Sequence, residues 1–168
     1  MADAITDTGP VLHLHEIGQL QCLAIFDHLL IPDLVAGELR VYGIDPLHSG
    51  IAGMNVSIAS VGQSEWAQIV DDAKRAKIHP ADAQVVVLAR QSQVQKLVLT
   101  DDMDLRRLLE SEGVLVVGSV GILVRAYTVG RLARVGLEGS IDALFTNSTL
   151  HISRAFKAYV TQLLDNLP

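Results

Sequence analysis

The residues in this chain best suited to chemistry are carboxylates. Asp7 follows a short apolar run at residues 4–6, and Asp101 and Asp102 follow another at 96–100. Glu38 lies mid-way along a helical pattern that begins after a third run, and Asp82 stands two residues past Pro80. If these runs are parallel strands, the strand-end acids share one edge of the sheet, and helix-borne acids can reach it. Clustered carboxylates repel, so their pKa values rise unless a cation sits between them. An all-oxygen set of this kind suits magnesium or manganese. Two such ions can activate a water and stabilise the leaving oxygen in phosphodiester hydrolysis. Each acid also has a local explanation. Asp7 suits a turn, Asp82 favours a helix dipole, Asp101 or Asp102 suits a helix N-cap, and Glu38 suits a solvated helix face. The signal lies in their joint placement.

The elements that must position these acids follow from periodicity. Short strands are expected at 4–6, 29–31, 56–61, 96–100 and 114–117. Between them, helical spacing predicts a helix from Val11 to Leu20 with Pro10 in its first turn. Further helices are predicted at 33–41, 63–77, from His79-Pro80 to about 94, and at 103–112. Residues 43–53, with Gly43, Pro46, Gly50 and Gly53, read as one loop-like insertion. Two or three helices fill the remainder. Apolar strands alternating with helices predict an α/β fold with a mainly parallel sheet covered on both faces.

Composition bounds the class. The 168 residues fit one domain spanning 1–168. Apolar residues make up 49% and charged residues 19%, which excludes disorder. A single cysteine, Cys22, excludes an intramolecular disulfide framework and a cysteine-based zinc site. Mean hydropathy is positive. Even so, the longest apolar-rich stretch, 114–124, is interrupted by Gly118, Ser119 and Gly121 and falls short of the roughly 20 residues a span needs. The start near Asp3 lacks a basic stretch, so no secretory signal is expected. These features predict a cytoplasmic enzyme or binding domain. Net charge is −6, divided unevenly: residues 1–73 hold ten acids and one base, Arg40, while 74–168 hold twelve bases and nine acids. No basic arm for nucleic acid exists. A local basic rim, or a metal neutralising an acidic cleft, remains compatible with this balance.

Other motifs carry less. Asp7-Thr8-Gly9 matches the aspartic-protease tripeptide, but that chemistry needs two such loops and no second one is present. His13 and His15 lie roughly 200° apart on a helix and form no chelating face. His79 adjoins the proposed site. Cys22 reads as core. Arg106 and Arg107, one helical turn past the Asp101-Asp102 pair, are candidates for phosphate contact or for a solvated face. Lys74, Arg75 and Lys77 end a helix, where cations favour the dipole. The apolar stripe from Leu150 to Leu167 reads as core or a self-association face.

Several segments together resemble the PIN-domain proteins, and among them the PIN-like proteins related to toxin nucleases of toxin–antitoxin pairs. They are Ile5-Thr6-Asp7-Thr8-Gly9-Pro10-Val11-Leu12-His13-Leu14, Ile31-Pro32-Asp33-Leu34-Val35 with Glu38-Leu39, and Ile78-His79-Pro80-Ala81-Asp82-Ala83. After them come Leu97-Val98-Leu99-Thr100-Asp101-Asp102 and Val116-Val117-Gly118-Ser119-Val120-Gly121-Ile122-Leu123. The resemblance implies a three-layer α/β/α fold and a four-carboxylate metal site for RNA cleavage. Its acids fall on Asp7, Glu38, Asp82 and one of Asp101 or Asp102, with Asp102 favoured. It makes Thr8 a neighbour able to orient a ligand or water, and Thr100 and Arg106 are further candidates by their positions beside the Asp101-Asp102 pair. It also implies a magnesium or manganese cofactor, an RNA substrate, a protein antitoxin and a homodimer. One departure stands at 81–82, where Ala81-Asp82 replaces the Gly-Glu frequent in this subgroup. A non-catalytic module binding RNA or a protein partner is the second expectation.

Overall fold

The computed structural model describes residues 3–48, 54–91 and 97–167. Five short strands form one wholly parallel sheet: β1 (Ala4–Thr6), β2 (His28–Pro32), β3 (Asn55–Ala59), β4 (Leu97–Leu99) and β5 (Leu115–Val117). Eight α-helices accompany them among the described residues. They are α1 (Thr8–Glu16), α2 (Asp33–Val41), α3 (Gln63–Ala76), α4 (Pro80–Gln91), α5 (Met103–Ser111), α6 (Ser119–Thr128), α7 (Arg134–Asn147) and α8 (Arg154–Asp165). Helices cover both faces, giving the expected three-layer α/β/α architecture.

The central strands β1 and β4 are buried along their whole length, as apolar strands of a parallel sheet covered on both faces are. Ala4, Ile5, Leu29, Ile31, Val98 and Leu99 have no exposed surface. α1, α6 and α7 pack on one another. α3, α4 and α5 meet around a cavity of about 270 Å³ whose apolar lining is Ile78, Ala83, Val86 and Leu108. A small separate cluster, Ile69, Ala73, Ala83 and Val87, joins α3 to α4.

The strand order, β3-β2-β1-β4-β5, locates the cleft. The chain moves outward from β1 through β2 to β3, then returns through α3 and α4 to β4 on the opposite side of β1. Strand order therefore reverses between β1 and β4, and a crevice opens beyond their carboxyl ends. The register there pairs Thr6 with Leu99. The Asp7 N–H continues the ladder by donating to the Leu99 carbonyl at 2.9 Å, so Asp7 and Thr100 emerge side by side.

Most predicted elements lie within two residues of the observed ones. The first helix is the exception. Periodicity carried it to Leu20, but α1 ends at Glu16 because Gly18 turns to φ +68°, and a 3₁₀ turn (Leu20–Ile25) follows. Three helices, α6 to α8, follow β5. On α8 only Val160 is buried, while Phe156 and Tyr159 are exposed. The insertion's Gly50 and Gly53, the end of the fourth predicted helix at 94 and the strand start at Lys96 lie outside the described residues. No helix among the described residues is long and apolar enough to cross a membrane.

Candidate active site

Four acids reach the carboxyl edge of the sheet from four elements. Asp7 ends β1 and caps α1: its Oδ1 accepts from the Thr8 N–H at 2.6 Å and its Oδ2 from the Thr100 hydroxyl at 2.9 Å. Glu38 projects from α2, and its carboxylate accepts from the Thr8 hydroxyl. Asp82 lies in the first turn of α4 and reaches back to accept from the His79 N–H at 3.0 Å, a helix-capping bond. Asp102 caps α5, with Oδ1 accepting from Asp104 N–H at 2.9 Å and Leu105 N–H at 2.7 Å. The Thr100 hydroxyl links two of these acids, since it donates to Asp7 and accepts from the Asp102 N–H at 3.0 Å.

The four carboxylates act on one another electrostatically. Asp7 is only 7% exposed. Burial first, then the charge of Asp82, push its pKa from 3.8 to about 7, with a smaller push from Glu38. Hydrogen bonds from Thr8 and Thr100 oppose the rise. Asp82 is raised by burial, and the charges of Asp102 and Glu38 push the same way. The His79 N–H and imidazole act against this. No lysine or arginine is among the main influences on Asp7 or Asp82. Among the described residues, neither they nor Glu38 and Asp102 are ion-paired to a base.

Asp101 belongs to a different arrangement. Its Oδ1 accepts from the Ser119 N–H at 2.7 Å, and its Oδ2 accepts from the Ser119 hydroxyl at 2.5 Å and lies 2.7 Å from His13 Nδ1. This clasp fastens the β4–α5 junction to α1 and to the start of α6. Gly118 makes room for it: a Cβ there would lie 2.6 Å from Asp101 Oδ1. Ser119 is fully buried and bonds the carboxylate rather than the imidazole, so the group is not arranged as a nucleophilic triad.

Arg106, a sequence candidate for phosphate contact, faces the protein instead. Its guanidinium donates to the carbonyls of Thr100 and Val116, at 3.3 and 3.2 Å, and to Glu110 at 3.2 Å, bracing β4, β5 and α5. Lys74, Arg75 and Lys77 are exposed at the end of α3, where the chain turns through Ile78 and His79 into the first turn of α4. They therefore stand at the end of α4 that carries Asp82. Two long-range pairings escaped the sequence. His13 and Asp101 are 88 positions apart, and no local spacing pairs them. Gln84, buried on α4, bonds α2 across 50 positions.

Among the described residues, no group of three or more His, Cys, Asp or Glu side chains stands ready to hold a metal ion. The donor chemistry nonetheless fits one. The set is all oxygen, partly buried and uncompensated by a base, which is the balance a hard divalent cation relieves.

A family model described as a PIN domain matches residues 3–166, and the chain belongs to that family. Its fold is thus of nuclease type, within a family whose members are generally hydrolases and usually use divalent metal ions. No curated protein matches the chain.

Proposed function

We propose that the protein is a metal-dependent endoribonuclease that hydrolyses RNA phosphodiester bonds at the Asp7–Glu38–Asp82–Asp102 cluster. The observation that carries this is electrostatic. At the point where strand order reverses, Asp7 is held with a pKa of about 7 by burial and by the neighbouring Asp82. Asp7, Glu38, Asp82 and Asp102 would hold magnesium or manganese. When bound, such an ion supplies a more acidic water and neutralises charge developing on the leaving oxygen. Thr8 orients Glu38, and Thr100 orients Asp7. Asp102 is the fourth acid in this reading because the carboxylate of Asp101 is already bonded to Ser119 and His13. Lys74, Arg75 and Lys77 supply positive charge beside the cluster for an RNA backbone. The same reading makes the protein the toxin of a toxin–antitoxin pair, restrained by a protein antitoxin. It also makes the protein a homodimer, for which Phe156 and Tyr159 on α8 offer exposed apolar surface.

The test is cleavage of a panel of structured and single-stranded RNAs with magnesium or manganese, beside a chelator control, Asp7→Asn and Asp102→Asn. Metal-dependent cutting lost in both variants supports the reading. RNA binding by the folded wild type without any turnover would make it a binding module instead.

A further inference from the structure

Helix α2, which carries Glu38, begins without a cap of its own. Its N-cap is Pro32, which makes no side-chain bond, so the first N–H groups need partners from elsewhere. Gln84 of α4 provides one. Its Oε1 accepts from the Leu34 N–H at 3.1 Å, and its Nε2 donates to Asp33 Oδ1 at 2.5 Å. Both ends of one amide are thus engaged with the first turn of α2, and Gln84 is only 1% exposed. The bracket lies two residues from Asp82 on α4 and joins it to the helix of Glu38. β2 runs into α2 with no intervening loop, so α2 has little slack of its own.

We propose that Gln84 is a positioning residue of the acid cluster: by fixing α2 against α4 it sets where Glu38 stands relative to Asp7 and Asp82. This rests on the proposed function only in assigning a metal to those acids. Gln84→Leu keeps approximate volume but leaves the Leu34 N–H and the Asp33 carboxylate without this partner. A buried polar group stripped of its bond moves or lets water in. Either response displaces Glu38 from the Thr8 hydroxyl.

The test is a double-mutant cycle read by calorimetric Mn²⁺ binding, with thermal melts confirming that each variant is folded. Gln84→Leu should weaken Mn²⁺ binding about 10–100-fold, the usual effect of removing a group that orients a ligand. In a Glu38→Gln background it should cause no further loss. Equal loss in both backgrounds, or undiminished binding by folded Gln84→Leu, would overturn the proposal. If Gln84→Leu does not fold, Gln84→Glu with Asp33→Asn reverses the polarity of the bond. That pair should restore the affinity that Gln84→Glu alone loses, and failure to restore it counts against the bracket. If the wild type binds no Mn²⁺, the metal assignment fails and crystal structures of the metal-free proteins decide. Gln84→Leu should then show the Thr8–Glu38 bond broken, and an intact bond would overturn the proposal.

Discussion

Asp7→Asn probes the electrostatics of the cluster without any assay of turnover. Burial and the Asp82 charge raise Asp7 from 3.8 to about 7 in the folded protein. Between those values the folded chain keeps a proton that the unfolded chain releases. Stability linked to this group is therefore full below about pH 4, declines as pH rises, and levels off above about pH 7. At about 1.36 kcal/mol per unit, the metal-free protein loses about 4 kcal/mol over that interval. Asparagine cannot ionise. It can still accept from the Thr8 N–H, and the Thr100 hydroxyl can turn to accept from its amide. The assay is urea unfolding in chelator from about pH 4.5 to 8.5, with stability taken by linear extrapolation. Wild type should lose stability with rising pH. Asp7→Asn should show a much smaller slope of the same sign, left by Asp82, whose pKa is also raised. Added Mn²⁺ should recover wild-type stability at high pH more than that of the variant. Parallel pH profiles for the two metal-free proteins would refute the argument, because Asp7 would then ionise as freely in the fold as out of it.

Four further predictions separate the roles of neighbouring groups. Asp101→Asn should destabilise the fold by about 2–3 kcal/mol in denaturant melts, since it weakens charge-assisted bonds to buried partners, yet retain Mn²⁺ binding. Asp102→Asn should melt like wild type, because asparagine also caps helices, but lose metal-dependent cleavage. Gly118→Ala should cost about 1–3 kcal/mol in the same melts, because its methyl group would lie 2.6 Å from Asp101 Oδ1 and 3.2 Å from Arg106 Nη2. Lys74→Ala and Lys77→Ala should leave the melt unchanged and weaken RNA binding, each lowering the salt slope by about one where it contacts a phosphate.

Much of the fold was legible because most of its strands are short, largely apolar runs near turn residues. α2 was predicted at its observed bounds, 33–41. Its limits are marked locally, by Pro32 at the start and by Gly43, at φ +77°, just beyond the end. The 3₁₀ turn at Leu20–Ile25 was not legible, since its apolar residues continue the spacing of α1 and only the backbone of Gly18 separates the two. The acids were legible for a topological reason. In a parallel sheet, the residues just past each strand lie on one edge, so chain order alone brought Asp7 and Asp101-Asp102 together. Their division of labour was not legible. Asp101 and Asp102 are adjacent and chemically identical, and what separates them is Ser119 and His13, partners 18 and 88 positions away. Gln84 looks like any amide on a helix until the first turn of α2 is placed against it.

The modest and the chemical readings of these acids describe the same bonds. Asp7 caps α1, Asp102 caps α5, and Asp82 takes up the His79 N–H at the start of α4. Each capping bond brings a positive helix terminus to a carboxylate that its neighbours repel. A cluster of charge without a cation is unstable on its own, and three helix ends aimed at one sheet edge are the means this chain has of holding it. The caps also ration the oxygens. On Asp102 both bonds fall on Oδ1, and on Asp82 the bond falls on Oδ2. Each carboxylate is thereby oriented by one oxygen while the other stays outside these bonds, able to take a cation with little rearrangement. Asp7 differs, because Thr8 and Thr100 engage both of its oxygens. Taking a cation there means sharing or turning the Thr100 hydroxyl, which also accepts from the Asp102 N–H. Thr100 therefore couples the two strand-end acids, and a change at one must be felt at the other.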